Sequence, residues 1–170
     1  MGRYLVANSA APTTSMSVKQ PTGTAIRTML QIAPSVPILV DEWGISFDGS
    51  AAATPVQCEL LETGTVAATM STALASADVT QLDAVSDGLA PSSILSFSTT
   101  TTAFATAAVT EGTITATRRG DIQNIPPSSL YAKMWPLQKE FYVASGRFLR
   151  VRVLAGASVN AYIYVVISTA

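Results

Sequence analysis

The carboxylates are the first candidates for acid–base chemistry in this 170-residue chain, because histidine is absent and cysteine occurs once. The absence of histidine excludes Ser-His-Asp and Cys-His catalysis and imidazole metal sites. Asp41 and Glu42 are adjacent, and neighbouring strand residues point to opposite faces, so we do not expect the facing acid pair that a glycosidase needs. We therefore predict that the chain is not an enzyme and has no catalytic residue.

Metal and cofactor motifs are the next candidates. Three carboxylates, Asp78, Asp83 and Asp87, fall within one irregular stretch, but their spacing does not match an EF-hand calcium loop. No two glycines are separated by a single residue, so neither GxGxxG nor a phosphate-binding P-loop is present. We predict no metal site and no cofactor.

Two further residue patterns suggest chemistry at first sight. Cys58 shares its alternation parity with Val56 and Leu60, which predicts an inert thiol facing the core, and a single cysteine excludes an internal disulfide. The tripeptide at 119–121, Arg-Gly-Asp, matches an integrin-binding motif. We interpret it as a chance match in a loop, since nothing else indicates a cell-surface ligand.

The elements that position these residues are β-strands. Trp43, Ile45 and Phe47 alternate with small or polar residues, and 149–153 alternates aliphatic residues with arginines. After a turn at 155–158 the alternation resumes over 159–167, which predicts a C-terminal β-hairpin. No stretch has the period of a long amphipathic helix. About seven or eight short strands indicate an all-β fold, a single β-sandwich or jelly-roll-like domain, with Trp43 and Trp135 filling its core.

The domain boundaries follow from the loss of this alternation. Residues 1–24 contain Pro12, Pro21 and Gly23 among small polar residues, and they are interpreted as an extended N-terminal arm, either frayed or ordered on a neighbouring subunit. Residues 25–170 form the β-sandwich domain. Within it, 65–96 is predicted to be a long loop with one helical turn.

Composition and charge limit the partners. Only 12% of residues are charged, and Ala, Thr and Ser fill 65 of the 170 positions, which suits contact with other protein. No Lys or Arg occurs from 28 to 117, where nine acidic residues lie, so opposite charges meet either within one fold or between neighbouring subunits. The basic residues form no stripe for nucleic acid. The longest apolar run, at 161–167, is too short to cross a membrane.

Five sequence segments are similar to a known group of proteins. They are EWGISFDG at 42–49, PVQCELL at 55–61, YAKMWPL at 131–137, RVRV at 150–153 and VNAY at 159–162. Together they resemble small structural proteins of tailed bacteriophages, namely head decoration (cement) proteins or related virion proteins. This resemblance implies a non-enzymatic β-sandwich on the capsid surface of a virion, bound to the major capsid protein and commonly a trimer.

The candidate contact residues combine this resemblance with strand parity. They lie in the N-terminal arm and on the outward face of the predicted hairpin: Tyr4, Leu5, Val6, Arg150, Arg152, Tyr162 and Tyr164. One alternative is another virion component, such as a tail, fibre-associated or minor capsid protein. A second is a carbohydrate-binding β-sandwich that stacks sugars on exposed aromatic rings, although aromatic residues make up only 7% of the chain.

Overall fold

The computed structural model describes residues 2–49, 54–83, 88–98, 100–115 and 117–170. Strands make up 47% and helices 4%, and two antiparallel sheets pack against each other. The predicted all-β sandwich is therefore confirmed. Asp87, one of the three carboxylates considered for calcium, lies outside the described residues.

The described residues form thirteen strands and one short α-helix. In chain order they are β1 (Arg3–Ala7), β2 (Gln20–Pro21), β3 (Arg27–Ile32), β4 (Ile38–Phe47), β5 (Val56–Thr63), β6 (Thr72–Ala73), β7 (Thr80–Gln81), α1 (Pro91–Ile94), β8 (Ala103–Phe104), β9 (Thr117–Ile125), β10 (Leu130–Met134), β11 (Phe141–Val143), β12 (Phe148–Leu154) and β13 (Asn160–Thr169). A single turn of 3₁₀-helix spans Ser76–Asp78. The helical turn predicted within 65–96 is α1, which begins at Pro91, a residue suited to a first helical turn.

The strands form two sheets with one core between them. Sheet A has the order β10-β4-β13-β1-β7, with β11 also pairing with β4 and β2 with β13. Sheet B has the order β6-β8-β3-β12-β5-β9. Trp43 and Ile45 of sheet A and Cys58, Leu60 and Val151 of sheet B belong to the same buried cluster. The predicted inward position of Cys58 is correct, and burial raises the pKa of its thiol to about 12.

The predicted C-terminal hairpin is wrong. β12 pairs with β3 and β5 in sheet B, whereas β13 pairs with β1 and β4 in sheet A. The connection at 155–159 therefore crosses from one sheet to the other. Alternation identifies the buried face of each strand but not its sheet, because two strands that cover one core from opposite sides have the same pattern as two that lie side by side.

The predicted N-terminal arm is wrong for residues 3–7 and 20–21, which are strands of sheet A, so the boundary at residue 24 does not divide an arm from the sandwich. β1 lies between β13 and β7 in sheet A, and β2 pairs with β13. Tyr4 and Val6 are fully buried, and the Tyr4 hydroxyl donates to the carbonyl oxygen of Leu89 at 2.6 Å. A five-residue strand has too little alternation to be distinguished from an arm, and its partner β13 lies about 160 positions away along the chain.

The acidic residues of 28–117 and the basic residues outside that segment mostly pair with each other within one chain. Six of the seven ion pairs in the described residues join an acidic residue of 28–117 to a basic residue outside that segment. One example is Arg152, which contacts Glu59 across neighbouring strands of sheet B. The structure therefore supports the first of the two interpretations, in which opposite charges pair inside one subunit.

Candidate interaction surface

The outer face of sheet A carries a row of apolar and aromatic side chains. Strand register aligns Tyr162, Ser46 and Leu130 across β13, β4 and β10, and it aligns Tyr164, Gly44 and Ala132 in the next row. This arrangement follows from parity, because Ile163 and Ile45 point into the core and their neighbours must point outward. We define the sheet A patch as the side chains of these outward residues, Gly44 excepted, together with two from the end of β10 and beyond it: Ser46, Leu130, Ala132, Met134, Leu137, Tyr162 and Tyr164.

The most exposed part of the patch lies on and beyond β10. Leu130 is 76% exposed, Met134 70% and Leu137 83%. Single exposed apolar residues are ordinary on protein surfaces, whereas a contiguous group of large ones marks a contact site. A shallow cavity of about 310 Å³ lies beside them, lined by Leu130, Tyr162 and Tyr164 among others.

A strained turn presents Leu137. The N–H of Lys139 donates to the carbonyl oxygen of Pro136 at 2.9 Å, and Gln138 has a φ of 65°. These values are typical of a type II turn, in which the third residue is usually glycine because its φ is positive. A glutamine at this position costs about 1 kcal/mol of backbone strain. Leu137 is the second residue of this turn and lies at its tip.

The centre of the patch is held rigid by Tyr164. Its ring lies over Gly44, where the space that a Cβ would need is filled by the ring itself. Its hydroxyl donates to Glu42 Oε1. Burial and the hydrogen bond to this carboxylate raise the pKa of Tyr164 to about 12, so the hydroxyl stays protonated at neutral pH. The tyrosine is therefore fixed before any partner arrives.

A second cavity adjoins the patch on the side of the 12–19 segment. It measures about 450 Å³ and is lined by Met16, Lys19, Ser46 and Tyr162 among others. Met16 is 88% exposed, and Lys19 contacts Asp48 at 3.3 Å, which ties the end of the segment to the sheet. The apolar surface thus continues from β10 across β13 to this segment.

A third cavity, of about 320 Å³, contains several charged groups and borders the β10 end of the patch. Arg3, Asp41, Glu42, Glu140 and Trp135 all line it, with Met134 and Leu137 at its border. The prediction that Asp41 and Glu42 point to opposite faces is wrong. Val166 pairs with Glu42 and Ile167 with Val40, so Asp41 is the extra residue of a β-bulge. The bulge shifts the alternation by one residue, and both carboxylates line the same cavity.

The charges in this third cavity are partly compensated. Burial raises the pKa of Asp41, and its hydrogen bond from Ser168 at 2.9 Å and the nearby Arg3 at 3.5 Å offset part of that rise. Trp135 is only half-buried rather than a core residue, and its ring stacks on Phe141 with centroids 6.3 Å apart. No group of three or more potential metal ligands occurs among the described residues.

The predicted contact residues separate into three groups. Tyr162, Tyr164 and the half-buried Leu5 lie on the outer face of sheet A, as their register with Ser46, Gly44 and Val166 shows. The buried Tyr4 and Val6 point into the core and are not available for contact.

The two predicted arginines lie on the outer face of sheet B, on the far side of the sandwich from the patch. Arg150 is fully buried and donates to the carbonyl oxygens of Glu111, at 2.8 Å, and Val66. Arg152 is partly exposed and pairs with Glu59. The structure therefore does not unite the arginines with the tyrosines in one surface, because β12 and β13 belong to different sheets.

The Arg-Gly-Asp tripeptide is part of β9 rather than a loop, which corrects the earlier interpretation. Gly120 is the extra residue of a bulge between β5 and β9. The Asp121 side chain is 7% exposed and accepts hydrogen bonds from Tyr131, at 2.7 Å, and Trp43, at 3.1 Å. Burial alone would raise the pKa of Asp121, but the hydrogen bonds and the charge of Lys133 lower it overall. Asp121 thus has a structural role inside the sandwich.

Sequence reasoning missed the residues that dominate the patch. Leu130, Ala132 and Met134 share one parity, and this alternation is visible in the sequence. An apolar face of that kind is normally assigned to the core, whereas here the core side of β10 is formed by Tyr131 and Lys133, which face Asp121. The signal that could have identified the apolar face of β10 as exposed lies on the opposite parity, where Tyr131 and Lys133 carry polar groups that need a polar partner.

Comparison of the chain with models of known protein families, with curated proteins and with solved structures finds no match. Among the described residues, no helix has both the length and the apolar character needed to cross a membrane. The function is therefore argued from the surface itself and from the resemblance of the five sequence segments.

Proposed function

We propose that this chain is a non-enzymatic structural protein of a tailed-bacteriophage particle, which binds the outside of the capsid shell through the sheet A patch and stabilises the shell. The observation that carries this proposal is the exposure of Leu130, Met134 and Leu137 beside Tyr162 and Tyr164. The resemblance of the sequence segments to head decoration proteins supports the choice of partner, the major capsid protein.

The chemistry of the patch suits a protein partner. Interface centres are rich in aromatic residues and methionine and poor in charge, which describes Tyr162, Tyr164 and Met134. Glu42, a charged group beside the patch, accepts a hydrogen bond from the hydroxyl of Tyr164. The tyrosines lie on paired strands and lose little conformational freedom on binding, so little of the contact energy is spent on ordering them.

Stabilisation of the shell requires only preferential binding. A subunit that binds the assembled shell but not its separated components shifts the equilibrium toward the shell. At a free concentration 100 times the dissociation constant, each occupied site contributes about 2.7 kcal/mol. No covalent chemistry is needed for this function.

Co-sedimentation with undecorated capsids of the phage that encodes the chain tests the proposal. The variants are Leu137→Glu and Tyr162→Glu, which place a charge in the sheet A patch. The matched control is Ile122→Glu on β9 of sheet B, which changes an apolar residue that is 47% exposed. We expect the wild type and the control to saturate the capsids at the same ratio, and each patch variant to bind at least about tenfold more weakly.

Two results would contradict this proposal. One is saturable capsid binding that both patch variants retain, which would exclude the patch as the docking face. The other is an absence of binding by the wild type to any capsid surface. Electron microscopy with a gold-labelled chain then distinguishes a tail, fibre-associated or minor capsid position.

Carbohydrate binding is the second candidate, because one cavity combines Trp135 with the carboxylates of Asp41, Glu42 and Glu140. Sugar-binding sites commonly pair an aromatic face with acidic hydrogen-bond acceptors. A glycan array tests it: binding that Trp135→Ala abolishes supports this function, and an array without signal excludes it.

A further inference from the structure

We infer that two copies of this chain pair with each other through β10, in antiparallel orientation, about a two-fold axis at Ala132. This inference goes beyond the proposed function and does not depend on it. It rests on the free edge of β10, on the register that this edge permits, and on the contrast with the other edge strands.

The free edge of β10 follows from its pairing with β4. The N–H of Phe47 donates to the carbonyl oxygen of Ser129 at 3.2 Å, and the N–H of Trp135 donates to that of Asp41 at 2.9 Å. Hydrogen-bonded residues alternate along an antiparallel pair, so the odd-numbered residues of β10 bond to β4. The N–H and C=O groups of Leu130, Ala132 and Met134 therefore point away from β4, and β4 is the only strand with which β10 pairs in the described residues.

This edge has fewer of the features that normally prevent strand addition than the edge strand of sheet B, and its one charged residue, Lys133, is paired with Asp121. β10 pairs with β4 over five residues without a bulge and contains no proline. The edge strand of sheet B, β9, has the bulge at Gly120 and the charged residues Arg118 and Arg119, which are typical protections of an edge. The opposite edges of the two sheets, β7 and β6, are two residues long.

The sequence of β10 is complementary to itself in one register. With Ala132 opposite Ala132 of a second copy, Leu130 lies opposite Met134, and each of these three positions is one whose backbone groups face the free edge. Three hydrogen-bonded pairs result, which form six N–H···O=C bonds in total. On the outer face the apolar side chains of the two copies become cross-strand neighbours and cover one another.

Charge does not oppose this register. The side chains of Lys133 and Tyr131 point to the inner face, and pairing about Ala132 places Lys133 opposite Tyr131 of the second copy rather than opposite another lysine. Lys133 is already compensated, because its Nζ lies 3.4 Å from Asp121 Oδ1. A second copy of the chain is therefore the occupant that this edge fits.

Charge substitution at Ala132 tests the inference, since this exposed residue meets its own copy at the axis. The measurement is molar mass by light scattering across a concentration series. We expect the wild type to shift from 17.7 kDa toward twice that mass as its concentration rises. Ala132→Lys and Ala132→Glu should each weaken self-association at least about tenfold, and an equimolar mixture of the two should restore it. Ile122→Lys on β9 is the matched control and should associate as the wild type does.

Amide hydrogen exchange gives a second measurement that needs no variant. The amides of Leu130, Ala132 and Met134 should become protected as concentration rises, whereas those of Tyr131 and Lys133 should be protected throughout. A wild type that keeps the mass of one chain up to about 1 mM would overturn the inference. So would an oligomer whose mass both Ala132 variants leave unchanged. Capsid binding by a strictly monomeric chain would overturn the two-fold pairing and leave the proposed function intact.

Discussion

Replacement of Arg150 by methionine should destabilise the fold more than any other change of a charged residue on sheet B. Arg150 is fully buried, and two segments lie over it: its guanidinium donates to the carbonyl oxygens of Val66 and Glu111. Its Nη1 also lies 3.6 Å from Glu111 Oε2. Methionine retains most of the side-chain volume but leaves both carbonyl oxygens and the carboxylate without this donor.

The magnitude follows from these contacts. Removal of one partner from a buried ion pair costs about 3–5 kcal/mol, and the Glu111 carboxylate, which is 21% exposed, costs less to leave unpaired than a fully buried charge. Glu111 retains hydrogen bonds from the N–H of Thr28, at 2.5 Å, and its hydroxyl, at 2.6 Å, so we expect a loss near the lower limit, about 3 kcal/mol. Arg152→Met is the matched control: Arg152 is partly exposed, and its replacement should cost about 1 kcal/mol or less.

Urea unfolding followed by tryptophan fluorescence measures both variants. With a slope of about 2 kcal/mol per molar urea, Arg150→Met should lower the midpoint by about 1.5 M and Arg152→Met by less than about 0.5 M. A double variant that adds Glu111→Gln should recover part of the loss, because the uncompensated carboxylate is removed. A midpoint for Arg150→Met within about 0.5 M of the wild type would refute the reasoning, since the buried contacts of Arg150 would then make little net contribution to the free energy of unfolding.

Three further predictions concern the buried groups. Val6→Asp should abolish cooperative thermal unfolding whereas Leu5→Asp, on the outer face, should not; equal tolerance of both would contradict the placement of β1 in sheet A. Cys58 should not react with a thiol reagent at pH 8 until the protein unfolds, because its pKa is about 12; rapid labelling of the folded protein would show that the thiol is accessible. Asp121 has a lowered pKa when folded, so its stabilising contribution is present above the unfolded value of about 3.9 and is lost as pH falls through the folded value. The stability difference between the wild type and Asp121→Asn should therefore shrink on acidification below about pH 4, and a difference independent of pH would contradict it.

The proposed docking face and the inferred two-fold pairing use different atoms of β10. Docking uses side chains of the outer face, whereas pairing uses backbone groups of the edge. Pairing would place two sheet A patches side by side, so that two contacts with a shell form at high effective concentration. Tyr162→Glu separates these two effects, because it changes the outer face without acting at the axis and should weaken capsid binding while self-association is retained. The Ala132 variants act at the axis and also place a charge in the sheet A patch.

Local patterns in the sequence predicted the fold class and, for the regularly alternating parts of β4, β5, β12 and β13, the side of the strand that faces the core. Trp43, Cys58 and Val151 were placed inward by alternation alone, and all three belong to the core cluster. This success has a simple physical basis, since a strand that is buried on one face must alternate regardless of what it pairs with. The orientation of Tyr162 and Tyr164 followed in the same way.

Only the tertiary structure decided which strands share a sheet, and with it which residues form one surface. The separation of Arg150 from Tyr164, the burial of Tyr4 and the common cavity of Asp41 and Glu42 all depend on pairings between distant segments or on one inserted residue. Alternation has a period of two residues and contains no information about pairing partners, and a bulge shifts the parity without changing composition. The free edge of β10 is the clearest case, because an unpaired backbone is a property of the assembled sheet and not of any residue in it.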